Sequence, residues 1–320
     1  MVSEIKGITS ILNQYTISNS LIEEIEYNKI KSLQQKIKDT GLSLCYFNPK
    51  SIFKNDYLIE LGFRYESFSK VRKQLEKIAS EELSIPTTLL YKESNLIKSY
   101  FNLVPKINCD ITYGYAKHAE ETNSVCGDNF LIKKLNDSRM VSVICDGMGK
   151  GVYANSQSSD LINMIKEILD LELTTSVAIQ TINTLYNMED YLEKYSTLDY
   201  LEINRSTKKA SFYKMGSASS YIIKESGKLI KVENESLPFG LEEMTSEKEY
   251  DIECGDIIIM SSDGVIDNVI EEKDFEKYIK QIKHLTSQKM AYEIMSYAMK
   301  TNLKASDDKC VIVLKIENPN

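Results

Sequence analysis

The chain has 320 residues, 42% of them hydrophobic, a formal net charge of −8 and only two histidines, His118 and His284. Such a length suits two domains with a sizeable core, and an acidic balance without a basic stripe excludes a nucleic-acid backbone binder. No stretch approaches the ~18 consecutive apolar residues of a membrane span and no signal peptide opens the chain, so a soluble, cytoplasmic protein is expected.

Residues 4–38 carry helical periodicity. Ile5, Ile8, Leu12 and Tyr15 form a first stretch, and Ile22, Ile25, Ile30, Leu33 and Ile37 a second. Between them Ser18-Asn19-Ser20 marks a restart, with Ser20 and Glu23 at capping-box spacing. Thr40-Gly41 ends the second helix, glycine taking the left-handed cap. The apolar faces fall short of sustained heptads, so packing on their own domain is expected, with a helical dimer interface as the alternative.

A small α+β segment follows, with strands at 42–47 and 57–63, a helix at 67–82, strands at 87–91 and 97–103, and a boundary near Pro105. Beyond it strands are expected at 110–116, 129–133, 140–145, 196–204, 209–215, 220–224, 229–232, 256–260 and 310–316. Helices are expected at 152–171, 175–195, 272–285 and 287–299. Strands in blocks and helices in blocks predict an α+β fold with antiparallel sheets. The expected domains are 1–40, 41–108 and 109–320.

Two segments share one design. Val141-Ser-Val-Ile-Cys-Asp146-Gly147 and Ile257-Ile-Ile-Met-Ser-Ser-Asp263-Gly264 each run an apolar strand straight into Asp-Gly. A buried strand ending in a carboxylate delivers it to a sheet rim on a rigid support, and the glycine is expected to let a cation or phosphate approach the backbone. Asp-Gly alone is more often a hairpin turn. Here, however, Asp146 opens the glycine-dense run Asp-Gly-Met-Gly-Lys-Gly151, Gly127-Asp128-Asn129 lies one hairpin away, and Asp307-Asp308 precedes the last strand. Hard oxygen ligands of this kind suit Mg²⁺ or Mn²⁺.

Alternative chemistries fail on spacing. The Gly147-Met-Gly-Lys150-Gly151 run lacks the Walker pattern. Neither Cys126 nor Cys145 is followed by the arginine a cysteine phosphatase needs; Arg64, Arg72, Arg139 and Arg205 lie elsewhere. The isolated histidines give no basis for a Ser-His-Asp or Cys-His machine and read as surface or packing residues. The cysteines, without a C-x-x-C pair, read as buried reduced thiols.

Asp128 in Gly-Asp-Asn, the 146–151 run, Ser-Ser-Asp-Gly at 261–264 and Asp-Asp at 307–308 resemble, in order and spacing, the metal-dependent protein phosphatases of the type 2C fold. Within them the chain looks most like the stage II sporulation protein E branch, through Thr197-Leu-Asp199, Lys214-Met-Gly-Ser217, Ala218-Ser-Ser-Tyr-Ile and Ser236-Leu-Pro-Phe-Gly240. The resemblance covers about residues 109–318, and 40–105 more weakly resembles the regulatory segment before that phosphatase domain. It implies a β-sandwich of two antiparallel sheets flanked by helix pairs, preceded by a regulatory and dimerising amino-terminal part.

By resemblance, Asp146 would bridge two cations, the carbonyl of Gly147 would bind one, and Asp128, Asp263 and Asp307 would complete the shells, with Asp146 and Asp128 as catalytic residues. The implied substrate is a phosphorylated anti-sigma factor antagonist, dephosphorylated to activate a sporulation sigma factor. A homodimer and a division-protein partner are further expectations, and a scaffold with vestigial catalysis is the alternative reading. Asn129 stands where the branch has serine and Cys310 where it has threonine; Lys117 is the one candidate for binding phosphate. The branch's membrane-spanning amino-terminal region has no counterpart here, so the chain reads as a piece of such a protein or as a soluble relative.

Overall fold

The structure is a computed structural model and describes residues 27–53, 56–120, 125–170, 175–188, 195–234, 236–239, 247–266, 272–300 and 307–319. The helical reading of 4–26, including the restart at 18–20, lies outside these residues. The chain forms two compact units, Met1–Asn108 and Cys109–Asn320.

In the first unit, helix α1 (residues 27–39) and α2 (Phe68–Leu83) accompany strands β1 (Leu44–Phe53), β2 (Asp56–Arg64), β3 (Thr87–Ser94) and β4 (Lys98–Pro105). The antiparallel sheet has the order β1-β2-β4-β3. Ile30, Leu33 and Ile37 of α1 and Val71, Leu75 and Ala79 of α2 share one core with Ile59, Leu61, Phe63, Phe101 and Leu103. These spacings of three and four put one apolar stripe per helix against alternate residues of the strands. Strand β1 runs past the expected end at 47 through Pro49, next to a register shift. An edge strand tolerates this, because the amide that proline lacks is not needed by a further neighbour.

The second unit is a sandwich. One sheet has the order β12-β9-β8-β7-β6 and the other β11-β10-β13-β14-β5. Their strands are β5 (Asp110–His118), β6 (Asp128–Lys134), β7 (Arg139–Asp146), β8 (Leu198–Asn204), β9 (Lys209–Met215), β10 (Ser220–Ile223), β11 (Leu229–Val232), β12 (Lys248–Asp251), β13 (Ile257–Ser261) and β14 (Lys309–Glu317). Helices α3 (Gly151–Leu169) and α4 (Thr175–Met188) accompany the first sheet. With the second go α5 (Asp263–Ile266), α6 (Glu272–Ile282) and α7 (Ser287–Lys300).

The unbroken apolar runs follow from this layering. Met140 and Ile144 of β7 face the core between the sheets, with Leu201, Phe212, Ile258 and Ile312. Val141, Val143 and Cys145 of the same strand face α3 and α4. In the other sheet Ile257 and Ile259 pack with Phe275 and Ile294 of α6 and α7. A strand covered on both faces needs apolar residues at every position, so it loses the alternation of a half-exposed strand.

Helix α7 lies so close to edge strand β5 that a side chain on Gly114 would meet the Cα of Gln288 at 2.2 Å. The Gln288 amide bonds both backbone groups of Tyr115, accepting from its N–H at 3.3 Å and donating to its carbonyl at 2.6 Å. Strand β12 and the short helix α5 were not expected. The alternating half-exposed Lys248–Asp251 has too little apolar content to announce a strand.

Candidate functional site

Cross-strand register builds the centre of the site. Asp128 opens β6 and Asp146 closes β7, and the two stand directly opposite each other. Both share the parity of the residues that face the core between the sheets, at its open end. Like charges opposed in this way repel.

Asp128 is buried, and burial raises its carboxyl above the usual range, as do Asp263 and Asp308 against the help of the Ser262 hydroxyl. Burial also raises Asp146, and the nearby Asp128, Asp263 and Asp307 raise it further. The two carboxyls share a hydrogen bond.

Asp263 begins α5 immediately beyond β13, exposed, its carboxylate accepting from the Gly264 N–H at 2.6 Å. Asp307 is half-buried and caps the N–H of Asp308 at 2.9 Å. The sequence-predicted carboxylates of all four segments lie within electrostatic reach of Asp146. Among the described residues no three of them close into a ready-made metal cage. They stand instead as one bonded pair with Asp263 and Asp307 acting on it electrostatically.

The two glycines also have a packing role that the sequence did not show. A side chain on Gly147 would meet the carbonyl oxygen of Ala154 at 2.0 Å, and one on Gly264 the carbonyl oxygen of Asp308 at 2.0 Å. Glycine is required for α3 and the β14 approach to pack against the two Asp-Gly corners. Neither corner is a hairpin turn. Gly149 and Gly151 have φ of +93° and +70° with open space beside them, so these two bend the loop itself.

Several supporting contacts are not legible in the sequence, even at residues that stand out in it. Asp308, 5% exposed, accepts from the N–H of Glu120 at 2.8 Å and of Gly127 at 2.5 Å, which fixes the loop that carries Asp128. From the other side α3 grips the same run. Ser158 donates to the Gly127 carbonyl at 2.5 Å and Asn155 to that of Cys126 at 2.8 Å. Asn129 donates to the hydroxyls of Ser158 and Ser159 at 2.8 and 2.9 Å, so its longer side chain ties β6 to the helix.

The backbone of Asp146 is held by Thr197, which donates its N–H at 2.9 Å and accepts at its hydroxyl at 3.1 Å, and by the Ser196 hydroxyl at 2.6 Å. The signal for Asp308 was present: it shares parity with Cys310, Ile312 and Leu314, which face the core.

Lys117, the candidate phosphate ligand, donates to Asn129 at 2.9 Å. Lys150 pairs with Glu120. His118 is half-buried and His284 exposed, both away from the carboxylates' hydrogen bonds. Cys109, Cys126, Cys145 and Cys310 are buried as expected, but Cys45 is exposed and Cys254 half-buried.

The arrangement fits divalent cations on its own terms. The Oδ2 atom of Asp128 is buried without a hydrogen-bond partner among the described residues, beside carboxyls whose negative charge raises its own affinity for a proton. An all-oxygen donor set suits Mg²⁺ or Mn²⁺. Asp128, Asp146, Asp263, Asp307 and the Gly147 carbonyl offer oxygen atoms of that kind near this point.

Comparison with known proteins bears on the fold that carries these residues. A stage II sporulation protein E from Bacillus subtilis (strain 168) is 30% identical over 99% of this chain, which spans 40% of that protein's length. The structure of the PP2C phosphatase domain and a fragment of the regulatory domain of SpoIIE from Bacillus subtilis matches with a TM-score of 0.82 at 22% identity, covering 100% of this chain and 96% of that one. The catalytic domain of the serine/threonine phosphatase PstP, solved with 2 manganese ions, shares the fold at a TM-score of 0.52 and 14% identity, over 65% of this chain and 99% of that one. The family model for stage II sporulation protein E (SpoIIE) matches residues 136–317, more than half of the sequence and all of the strands from β7 to β14. A PP2C-like sandwich with this match belongs to the SpoIIE family.

Proposed function

We propose that the chain is a Mn²⁺- or Mg²⁺-dependent phosphoserine protein phosphatase whose substrate is a phosphorylated anti-sigma factor antagonist. The observation that carries the reading is the Asp128–Asp146 register, which opposes two carboxyls at the mouth of the sandwich and leaves Asp128 Oδ2 buried and unbonded. Asp146 and Asp128 would hold both ions between them, with Asp263, Asp307 and the Gly147 carbonyl completing the shells. When bound, such a pair supplies Lewis acidity to a water and to the phosphoryl group.

The chain's own residues fix the place of that chemistry. Thr197 and Ser196 hold the Asp146 backbone, and Asp308 and α3 hold the loop of Asp128 from opposite sides. No histidine or cysteine is needed.

Within the same reading the unit Met1–Asn108, which has a core of its own, regulates the phosphatase unit. Residues 1–40 take part in a homodimer, and a division protein is the further partner.

Hydrolysis of p-nitrophenyl phosphate and of a phosphoserine protein, with and without Mn²⁺, tests the reading. Wild type is expected to turn over only with the ion, and Asp146→Asn and Asp263→Asn to be inactive while folded. Full activity in Asp146→Asn would sink the site assignment.

A further inference from the structure

Three blocks singled out in the sequence, Thr197-Leu-Asp199, Lys214-Met-Gly-Ser217 and the run from Ser236 to Phe239, supply none of the proposed ligands. The fold closes them into one ring behind Asp146. Asp199 and Lys214 are cross-strand neighbours on β8 and β9, on the face that looks into the sandwich. Their ion pair spans 2.7 Å with side chains 1% and 2% exposed. The Ser220 hydroxyl bridges them, accepting from Lys214 at 3.0 Å and donating to Asp199 at 2.5 Å.

From Lys214 the ring continues through its carbonyl, which accepts from Ser236 at 2.7 Å and Asn234 at 3.2 Å. The left-handed Gly216 lies against Pro238, leaving no room for a side chain. Phe239 then donates to the Ser196 carbonyl at 2.9 Å, and Ser196 and Thr197 grip the backbone of Asp146. Asp199 also lines a small cavity together with Asp146, Thr197, Ser261 and Asp263.

We propose that Lys214 and Asp199 are positioning residues, an internal ion pair that sets the place of Asp146 and so the affinity of the carboxylate cluster for its cations. The proposal rests on the reading of Asp146 as a cation ligand. A buried lysine beside a site that gathers negative charge is costly to keep, and burial lowers its affinity for its proton. Replacing a buried ion pair by neutral residues of like size generally leaves stability unchanged or improved. A pair kept only for stability would therefore be dispensable as a pair, whereas a positioning pair would not.

The test is the double variant Asp199→Asn with Lys214→Met in the full chain, which removes both charges together. Melting temperature, calorimetric Mn²⁺ titration, and kcat and KM for p-nitrophenyl phosphate are measured against wild type. The expected result is a folded protein with Mn²⁺ affinity and kcat each about tenfold lower and KM little changed, the size usual for partners of metal ligands. Affinity and kcat within about twofold of wild type overturn the proposal.

Should the double variant not fold, Ser220→Ala decides. It removes one hydroxyl, and about fivefold weaker Mn²⁺ binding is expected for one lost hydrogen bond, against no change if the pair is only structural. Asp146→Asn serves as the control. Its loss of Mn²⁺ binding keeps the site reading intact whatever Lys214 does, and its normal binding and turnover would take down both.

Discussion

The adjacent Asp307 and Asp308 are chemically identical in sequence, and their environments predict opposite consequences when each is changed to asparagine. Asp308 accepts two backbone N–H groups, a part-buried one at 2.8 Å and a buried one at 2.5 Å. An asparagine keeps one oxygen acceptor and turns its amide N–H towards the other donor. One buried N–H is left unpaired and the charge assistance of the remaining bond is lost, together about 2–4 kcal/mol. In a domain of this size that lowers the melting temperature by about 5–15 °C.

Asp307 is half-buried and contributes like-charge repulsion to Asp146. Asp307→Asn is therefore expected to leave the melting temperature in chelator unchanged or about 1–2 °C higher, and to reduce the rise that excess Mn²⁺ gives. Differential scanning calorimetry of the wild type and both variants, in chelator and in Mn²⁺, reads both effects. An Asp308→Asn protein melting within about 1 °C of wild type, or an equal loss in both variants, refutes the reasoning.

Two more expectations concern the same site. Asp128 and Asp146 bind protons more tightly folded than unfolded, so in chelator the pair's contribution to stability, the difference between wild type and a variant neutral at both positions, is fully present below about 4 and falls as pH rises towards the folded values. Urea denaturation of both proteins across that range, with and without Mn²⁺, checks this; the ion is expected to flatten the slope, and a difference rising with pH in chelator contradicts it. Gly147→Ala is expected to cost about 2–3 kcal/mol or more, because the new methyl meets the Ala154 carbonyl at 2.0 Å. Thermal unfolding reads it, and a neutral outcome would mean that α3 moves away freely.

The elements that sequence located best are those whose pattern follows from burial alone. Runs such as 141–145 and 257–260 show two covered faces, and the periodicity of Ile30, Leu33 and Ile37 shows one. Strand β12 escaped because a polar edge strand carries no such pattern. The carboxylates were legible because each ends an apolar run or adjoins one, yet their supports were not. Asp308, Thr197 and Asn129 act through groups distant in sequence, and no local spacing encodes the separation of 51 positions from Asp146 to Thr197. The glycines were legible as special but their packing role was not, since the oxygen atoms that crowd them come from α3 and from the approach to β14.

The side chain of Gln288 gives the second sheet a finished margin. Its amide offers one donor and one acceptor to Tyr115, the same two groups that a neighbouring strand would offer, and the backbone of α7 occupies the space above Gly114. A strand from another molecule approaching β5 would find that stretch of ladder already answered and its path obstructed. Sheet-to-sheet association at this edge, a common route to aggregation for open sheets, is blocked by one glutamine and one glycine, and Gln288→Ala would reopen it without touching the core.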